Sequence, residues 1–334
     1  MTVDVHAHLL MPSLQGEVER RAPEGVQAAA ALELRRNGAE SLAVSGPMVG
    51  ARIPKLTDVT VRLAAMDEQG VDRQWVSASP NHFYPWAEEQ LAVWTATEAN
   101  RLIAEHVALA PDRLTGLGLV PLQHPSRILE CVDDAILGRG LAGIEISSFA
   151  GDVELSDPRL ETMWSRVEEL GAVVFLHPFG CSLDERLDRF YLSNTVGQPT
   201  ENAVALSHLI FSGALDRHPD LRVVAAHGGG YLPFAIGRSD HAWRVRPEAR
   251  VCAHEPSSYL RRLWFDTVVH DPVALRHLVA VAGDSRVLLG SDFPFDMGLD
   301  DPVTVVRAAG LPDEITRRIL GENAESLLQS RVHA

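Results

Sequence analysis

Short apolar, β-branched runs recur along the whole chain, separated by longer stretches of helical period, and this alternation leaves few folds open. The runs fall at residues 3–6, 74–77, 114–119, 143–147, 172–177, 222–227, 264–267 and 287–291. Helical spacing marks 88–109, the set Leu160, Met163, Trp164, Val167 and Leu170, and 232–244. A last helix is expected to start at Leu311-Pro312-Asp313-Glu314, with proline and acids in its first turn, and to run to about residue 328. Eight strands with helices between them predict an α/β fold, a (β/α)8 TIM barrel. Two connections are too long for simple barrel loops: residues 9–57 after the first strand and 178–200 after the fifth. They are expected as long insertions at the barrel's C-terminal face, where such segments build an active site or a subunit contact. No repeat, linker or low-complexity tract divides the chain, so residues 1–334 are expected to form a single domain.

Composition narrows the functional classes. The chain has 334 residues, 46% of them apolar, which suits a globular protein and excludes disordered or fibrous classes. No apolar run approaches the roughly 20 residues of a membrane span, and no cationic segment leads into an apolar core at the start. A cytoplasmic protein is expected. The formal net charge of −15 argues against nucleic acid or an anionic membrane as partner, since both need a cationic footprint. Cys131, Cys181 and Cys252 are odd in number and far apart, so neither a disulfide framework nor a thiolate metal site is indicated.

Candidate metal ligands collect at the C-terminal ends of the predicted strands, where a barrel keeps its active site. His6 and His8 lie two apart in Val3-Asp4-Val5-His6-Ala7-His8, so both imidazoles project to one face of the first strand. His177 ends the fifth strand, His227 opens a His-Gly-Gly-Gly after the sixth, and Asp292 follows the eighth in Gly290-Ser291-Asp292-Phe293-Pro294. A histidine ending an apolar strand is commonly structural, and an aspartate after a strand is commonly a helix cap. The coincidence of all of them at one strand end points instead to a metal site. Nitrogen and oxygen donors without thiolate suit one divalent ion, zinc first, with manganese, cobalt or iron as alternatives. On spacing alone His227 is either a ligand or the acid/base beside the metal. The sole lysine, Lys55, lies in the long first connection and not at a strand end, so a lysine-bridged metal pair is disfavoured. Glu145, in the fourth strand, faces either the barrel interior or a covering helix.

Taken together, His-x-His, the strand-ending His-Pro, His-Gly-Gly-Gly, Gly-Ser-Asp-Phe-Pro and the closing Ile319-Leu320-Gly321-Glu322-Asn323-Ala324 resemble the amidohydrolase superfamily. Within it, Met66-Asp67-Glu68-Gln69-Gly70-Val71-Asp72, Leu209-Ile210-Phe211-Ser212-Gly213 and residues 237–244 resemble the branch of 2-amino-3-carboxymuconate 6-semialdehyde decarboxylase and related metal-dependent decarboxylases. The resemblance covers nearly the whole chain. It implies zinc held by His6, His8, His177 and Asp292, with His227 as general acid/base. It also implies an anionic carboxylate substrate met by arginines at Arg52, Arg238 and Arg246, an aromatic wall at Phe295, and a homodimer or larger oligomer in which Arg238 reaches the neighbouring subunit. Phe83-Tyr84-Pro85-Trp86 and Phe179-Gly180-Cys181-Ser182-Leu183 differ from the family pattern and are expected as pocket walls.

The expected activity is therefore a metal-dependent, non-oxidative decarboxylation of an unsaturated or aromatic carboxylic acid of aromatic-compound catabolism, such as a carboxymuconate semialdehyde. No P-loop is present, and the expected reaction needs no organic cofactor. A hydrolase or hydratase acting on a lactone, an amide or an activated C=C or C–C bond is the alternative, since the same ligands serve both chemistries.

Overall fold

The computed structural model describes residues 1–329. Its main sheet has eight strands: β1 Val3–Leu9, β2 Arg73–Ala78, β3 Leu114–Leu119, β4 Gly143–Ser147, β5 Val173–His177, β6 Arg222–Ala225, β7 Trp264–Asp266 and β8 Val287–Leu288. Each pairs in parallel with the next in chain order. The ring closes where Val5 N donates to Leu289 O at 2.8 Å, Phe293 N to His6 O at 3.2 Å and His8 N to Phe293 O at 2.9 Å. The fold is thus the expected α/β TIM barrel. Strands alternate as the pleat requires: Val173 and Phe175 face a barrel-interior cluster with Val3, Val5, Leu117 and Leu288, while Val174 and Leu176 pack under the helices.

One departure from alternation positions the site. Val3 and Val5 face the interior, yet His6 and His8 also point inward, which a regular strand forbids. The register against β2 slips between Asp4 and Ala7, where three steps along β1 match two along β2. This bulge shifts the inward phase from odd to even residues. Asp4 secures it from the outer face: one carboxylate oxygen accepts from His6 N at 3.0 Å and Ser291 N at 2.9 Å, the other from Ser291 Oγ at 2.6 Å and Gln74 Nε2 at 2.9 Å. Gln74 Oε1 in turn accepts from Arg62 at 2.7 Å, and this wholly buried guanidinium also donates to His8 O at 2.5 Å.

The segment after β1 is helical, not a loop: α1 Pro12–Arg21, α2 Pro23–Thr57 and α3 Val59–Gln69 fill it. Pro47, Pro54 and several glycines mask the long α2 in sequence. It bends at Gly38, at φ 75°, where a Cβ would lie 1.9 Å from Asp188 O. The remaining crossovers carry α4 Glu89–Ala108, α5 Ile128–Asp133, α6 Glu161–Glu169, α7 Gln198–Phe211, α8 Leu232–Val245 and α9 Pro272–Ala282. The closing helix runs from Asp313 as expected, but through a wider π-type turn at Arg318–Glu322. After β5, Asp184 accepts from Arg35 of α2 at 2.6 and 3.0 Å, joining the two long segments over the C-terminal face. Among the described residues no helix is long and apolar enough to cross a membrane.

Candidate metal centre

The inward phase of β1 brings His6 and His8 together at the barrel's C-terminal mouth. His6 Nδ1 donates to Asp266 Oδ2 at 2.6 Å, and His8 Nδ1 to the carbonyl of Ala78 at 3.1 Å. These bonds place the ring proton on Nδ1 and leave the Nε2 lone pairs free. The two Nε2 atoms lie 3.1 Å apart, and Asp292 Oδ1 is 3.1 Å from His8 Nε2 and 3.4 Å from His6 Nε2. Lone pairs so close repel one another without a cation between them. Donors each about 2.1 Å from a shared ion stand roughly 3.0–3.4 Å apart, so the donor set fits a metal.

His177 completes the approach from β5, where it is buried and neither ring nitrogen has a hydrogen-bond partner. Burial holds its pKa well below the ordinary histidine value, and neighbouring imidazoles lower it further. A buried neutral imidazole with no partner is a ready ligand. Donor atoms of His6, His177, His227 and Asp292 all lie within 4.8 Å of one another. Burial would raise the Asp292 pKa, but the imidazoles gathered around it, His6 first and then His227 and His8, hold it well below the carboxylate norm.

His227 is placed differently from His6 and His8. Its Nε2 faces the other carboxylate oxygen, Asp292 Oδ2, at 3.5 Å, and its side chain is 17% exposed where those of His6 and His8 are fully buried. Both His227 and Asp292 take left-handed backbone conformations, at φ 53° and 59°. Such strain, about 1–3 kcal/mol each, persists only where the surroundings fix it. Next to His227, Gly230 N donates to the His227 carbonyl at 3.0 Å, and Gly230 packs so closely that a Cβ there would lie 2.0 Å from Pro199 O.

Three further residues support the cluster. Asp266, at the end of β7, also accepts from Gly228 N at 2.8 Å and Val268 N at 3.1 Å. Burial acts to raise its pKa, but the bond from His6 brings it below the usual value. Gly290 leaves room for this pair, since a Cβ there would be 2.7 Å from that of Asp266 and 3.1 Å from that of His6. Glu145 faces inward, with one oxygen accepting from Ser77 Oγ at 3.0 Å and the other unpartnered. Burial pushes its carboxyl up to about 8. Asp266 carries a readable signal, an acid ending a strand, but a single acid in Trp-Phe-Asp-Thr is indistinguishable from a cap.

The other expected site residues divide. Phe295 packs its ring on His8, with centroids 5.3 Å apart, and lines a cavity of about 230 Å³ with half-buried Arg52. Arg246 is exposed and paired with Glu248, while Arg238 is exposed on α8 and lines neither that cavity nor the one at His227. Within one chain, then, these two arginines do not join the cluster. Tyr84, Trp86 and Phe179 wall a separate, mainly apolar cavity against α2.

The sequence model of the amidohydrolase family matches residues 3–329. The chain belongs to this amidohydrolase family. A 2-amino-3-carboxymuconate-6-semialdehyde decarboxylase of Dictyostelium discoideum is 37% identical over 274 residues, spanning 81% of this chain and 76% of that protein. Among solved structures, 5-carboxyvanillate decarboxylase from Sphingomonas paucimobilis superposes with a TM-score of 0.83 at 25% identity, covering 98% of each chain. A dihydroxybenzoic acid decarboxylase from Polaromonas sp. JS666, solved with bound manganese and 2-nitroresorcinol, shares the fold at a TM-score of 0.81 and 21% identity over 100% of this chain and 99% of its own. This amidohydrolase thus has named decarboxylases for relatives and a cluster fit for a divalent metal.

Proposed function

We propose that this amidohydrolase is a metal-dependent, non-oxidative decarboxylase of an unsaturated or aromatic carboxylic acid. The observation that carries the reading is the convergence of unprotonated imidazole nitrogens and one carboxylate oxygen at the barrel mouth, in a chain whose relatives are decarboxylases. His6, His8, His177 and Asp292 would hold the ion, and their nitrogen-rich set suits zinc, with manganese as the other main choice. When bound, a divalent ion supplies positive charge that draws in the substrate carboxylate and polarises its neighbouring oxygen.

The chain's own part is proton management. Loss of CO₂ breaks the C–C bond and leaves its electron pair on the substrate carbon, spread into a conjugated group. His227 then gives a proton to that carbon, so that R–CO₂⁻ plus H⁺ becomes R–H plus CO₂. Its Nε2 lies 3.5 Å from Asp292 Oδ2, and the residue lines the cavity at the barrel mouth. Asp292 has a divided role, one oxygen turned to His6 and His8 and the other to His227. Arg52 is assigned to the substrate from the Phe295 side, and Arg238 to the site of a second copy in a homodimer.

The test is CO₂ release by metal-loaded protein from carboxymuconate semialdehydes and hydroxybenzoates, alongside His227→Ala. Release of CO₂, with the variant retaining its metal yet slowed by about 10²–10⁴, is the expected result. Full activity in His227→Ala would remove its proton role, and product formation without CO₂ would turn the reading to hydrolysis or hydration.

A further inference from the structure

The apolar cavity against α2 is separate from the barrel mouth. It encloses about 540 Å³ between the first half of α2, α1, the turn after β2 and the short hairpin after β4. It shares no lining residue with the cavity at His227 and Asp292 or with the one at Arg52 and Phe295. Val26, Leu32, Trp86, Phe149 and Phe179 give it apolar walls, and each of them is only half-buried. A space of this size lined by open aromatic and aliphatic surface suits a bicyclic ring or a chain of similar bulk.

Arg36, on α2, breaks the apolar lining and is the one cation among the described residues around this cavity. Among the described residues nothing accepts a hydrogen bond from it. Its nearest carboxylate oxygen, Asp184 Oδ1, is 3.8 Å from Nε, and Arg35 already donates to both oxygens of Asp184 at 3.0 and 2.6 Å. The Nε is sealed, but the two terminal nitrogens keep accessible surface, and the side chain as a whole is 21% exposed. Gly180 makes room for the fork, since a Cβ there would lie 2.8 Å from Nη1. A partly desolvated guanidinium whose fork is unpaired is a site for a carboxylate, which meets it with two parallel bonds. The acids nearby do not take that place. Glu33 accepts from Asn37 at 2.7 Å, and burial raises its pKa against the pull of Asn37 and Arg36, while Glu19 is exposed and accepts from Gln15 at 3.4 Å. Both acids disfavour a second negative charge on a ligand.

We propose that this cavity is a second ligand site, distinct from the metal centre, that takes a hydrophobic monocarboxylate. The carboxylate pairs with Nη1 and Nη2 of Arg36, and the apolar body lies among Trp86, Phe149 and Phe179. The inference stands independently of the decarboxylase reading, because it uses neither the metal nor any residue of the His–Asp cluster.

Direct binding tests it. Zinc-loaded protein is titrated calorimetrically with 2-naphthoate and with its neutral counterpart naphthalene-2-methanol. 2-Naphthoate should bind about tenfold more tightly than the alcohol, since a hydrogen bond to a charged group is worth more than a neutral one. In Arg36→Met, which keeps the bulk and leaves Asp184 with Arg35, that preference should fall to within about twofold, with metal content kept. Ala29→Trp adds a ring at a half-buried lining position on α2 and leaves Arg36 in place; it should remove binding of both ligands. A carboxylate held at the metal instead would be insensitive to both substitutions. Unchanged 2-naphthoate affinity in either variant would therefore overturn the site. Equal affinity for acid and alcohol in the wild-type protein would overturn the carboxylate class, and absence of 2-naphthoate binding would overturn the proposal outright; neither comparison depends on a variant that folds.

Discussion

At the scale of single residues, the account turns on protons held in place. Asp266 fixes the His6 tautomer through a 2.6 Å bond while two backbone N–H groups hold its other oxygen. Asp266→Asn keeps the shape and removes the charge, so His6 loses the partner that keeps its proton on Nδ1. Metal affinity, measured by chelator competition, should drop about 10–100-fold with the fold retained. Unchanged affinity would show that His6 needs no such partner. The ligand candidates were legible because histidines and an aspartate stood at the ends of apolar runs. Asp266, Asp4 and Arg62 were not, because their meaning lies in partners 260, 287 and 54 positions away in the chain. The inward face of Glu145 likewise needed the register against Ser77.

At the scale of elements, short segments tie the strand ends to the helices that cover them. His82, in the turn after β2, accepts from Met11 N at 3.0 Å, just before α1, and its Nδ1 lies 3.2 Å from Tyr84 Oη. Burial alone brings its pKa down from 6.5 to about 3. Because the folded value is depressed, the unfolded chain binds more protons between these limits. The contribution of neutral His82 is complete above about pH 6.5 and is lost as pH falls toward 3. Between pH 7 and 5, His82→Gln should lose about 2 kcal/mol less stability than the natural protein in denaturant titrations. Equal losses would place the acid sensitivity elsewhere. Strand existence was legible throughout, and strand ends were less so. The first strand extends to Leu9 because its bulge keeps pairing with β2, and the sixth stops at Ala225 because His227 turns left-handed. The helices after β1 escaped notice because prolines and glycines contradict local propensity, while contact with the rest of the protein holds them helical.

At the scale of the whole molecule, barrel closure gathers the site. His6 and Asp292 are 286 positions apart, and they meet because β1 pairs with the segment following β8. The alternation of runs made that closure readable, since eight βα units have few other ways to bury both faces of a parallel sheet. What sequence could not supply was the distribution of charge around the mouth. Arginines are frequent along the chain, yet Arg238 and Arg246 sit on the surface of α8 and just beyond it. The measurement that bears most directly on the account is metal content per chain, followed through chelation and reconstitution, with CO₂ release recorded on the same samples. The account predicts about one divalent ion per chain, loss of CO₂ release with the ion, and recovery of both on adding zinc or manganese. Undiminished CO₂ release from chelated, metal-free protein, or no ion bound after reconstitution, would contradict it.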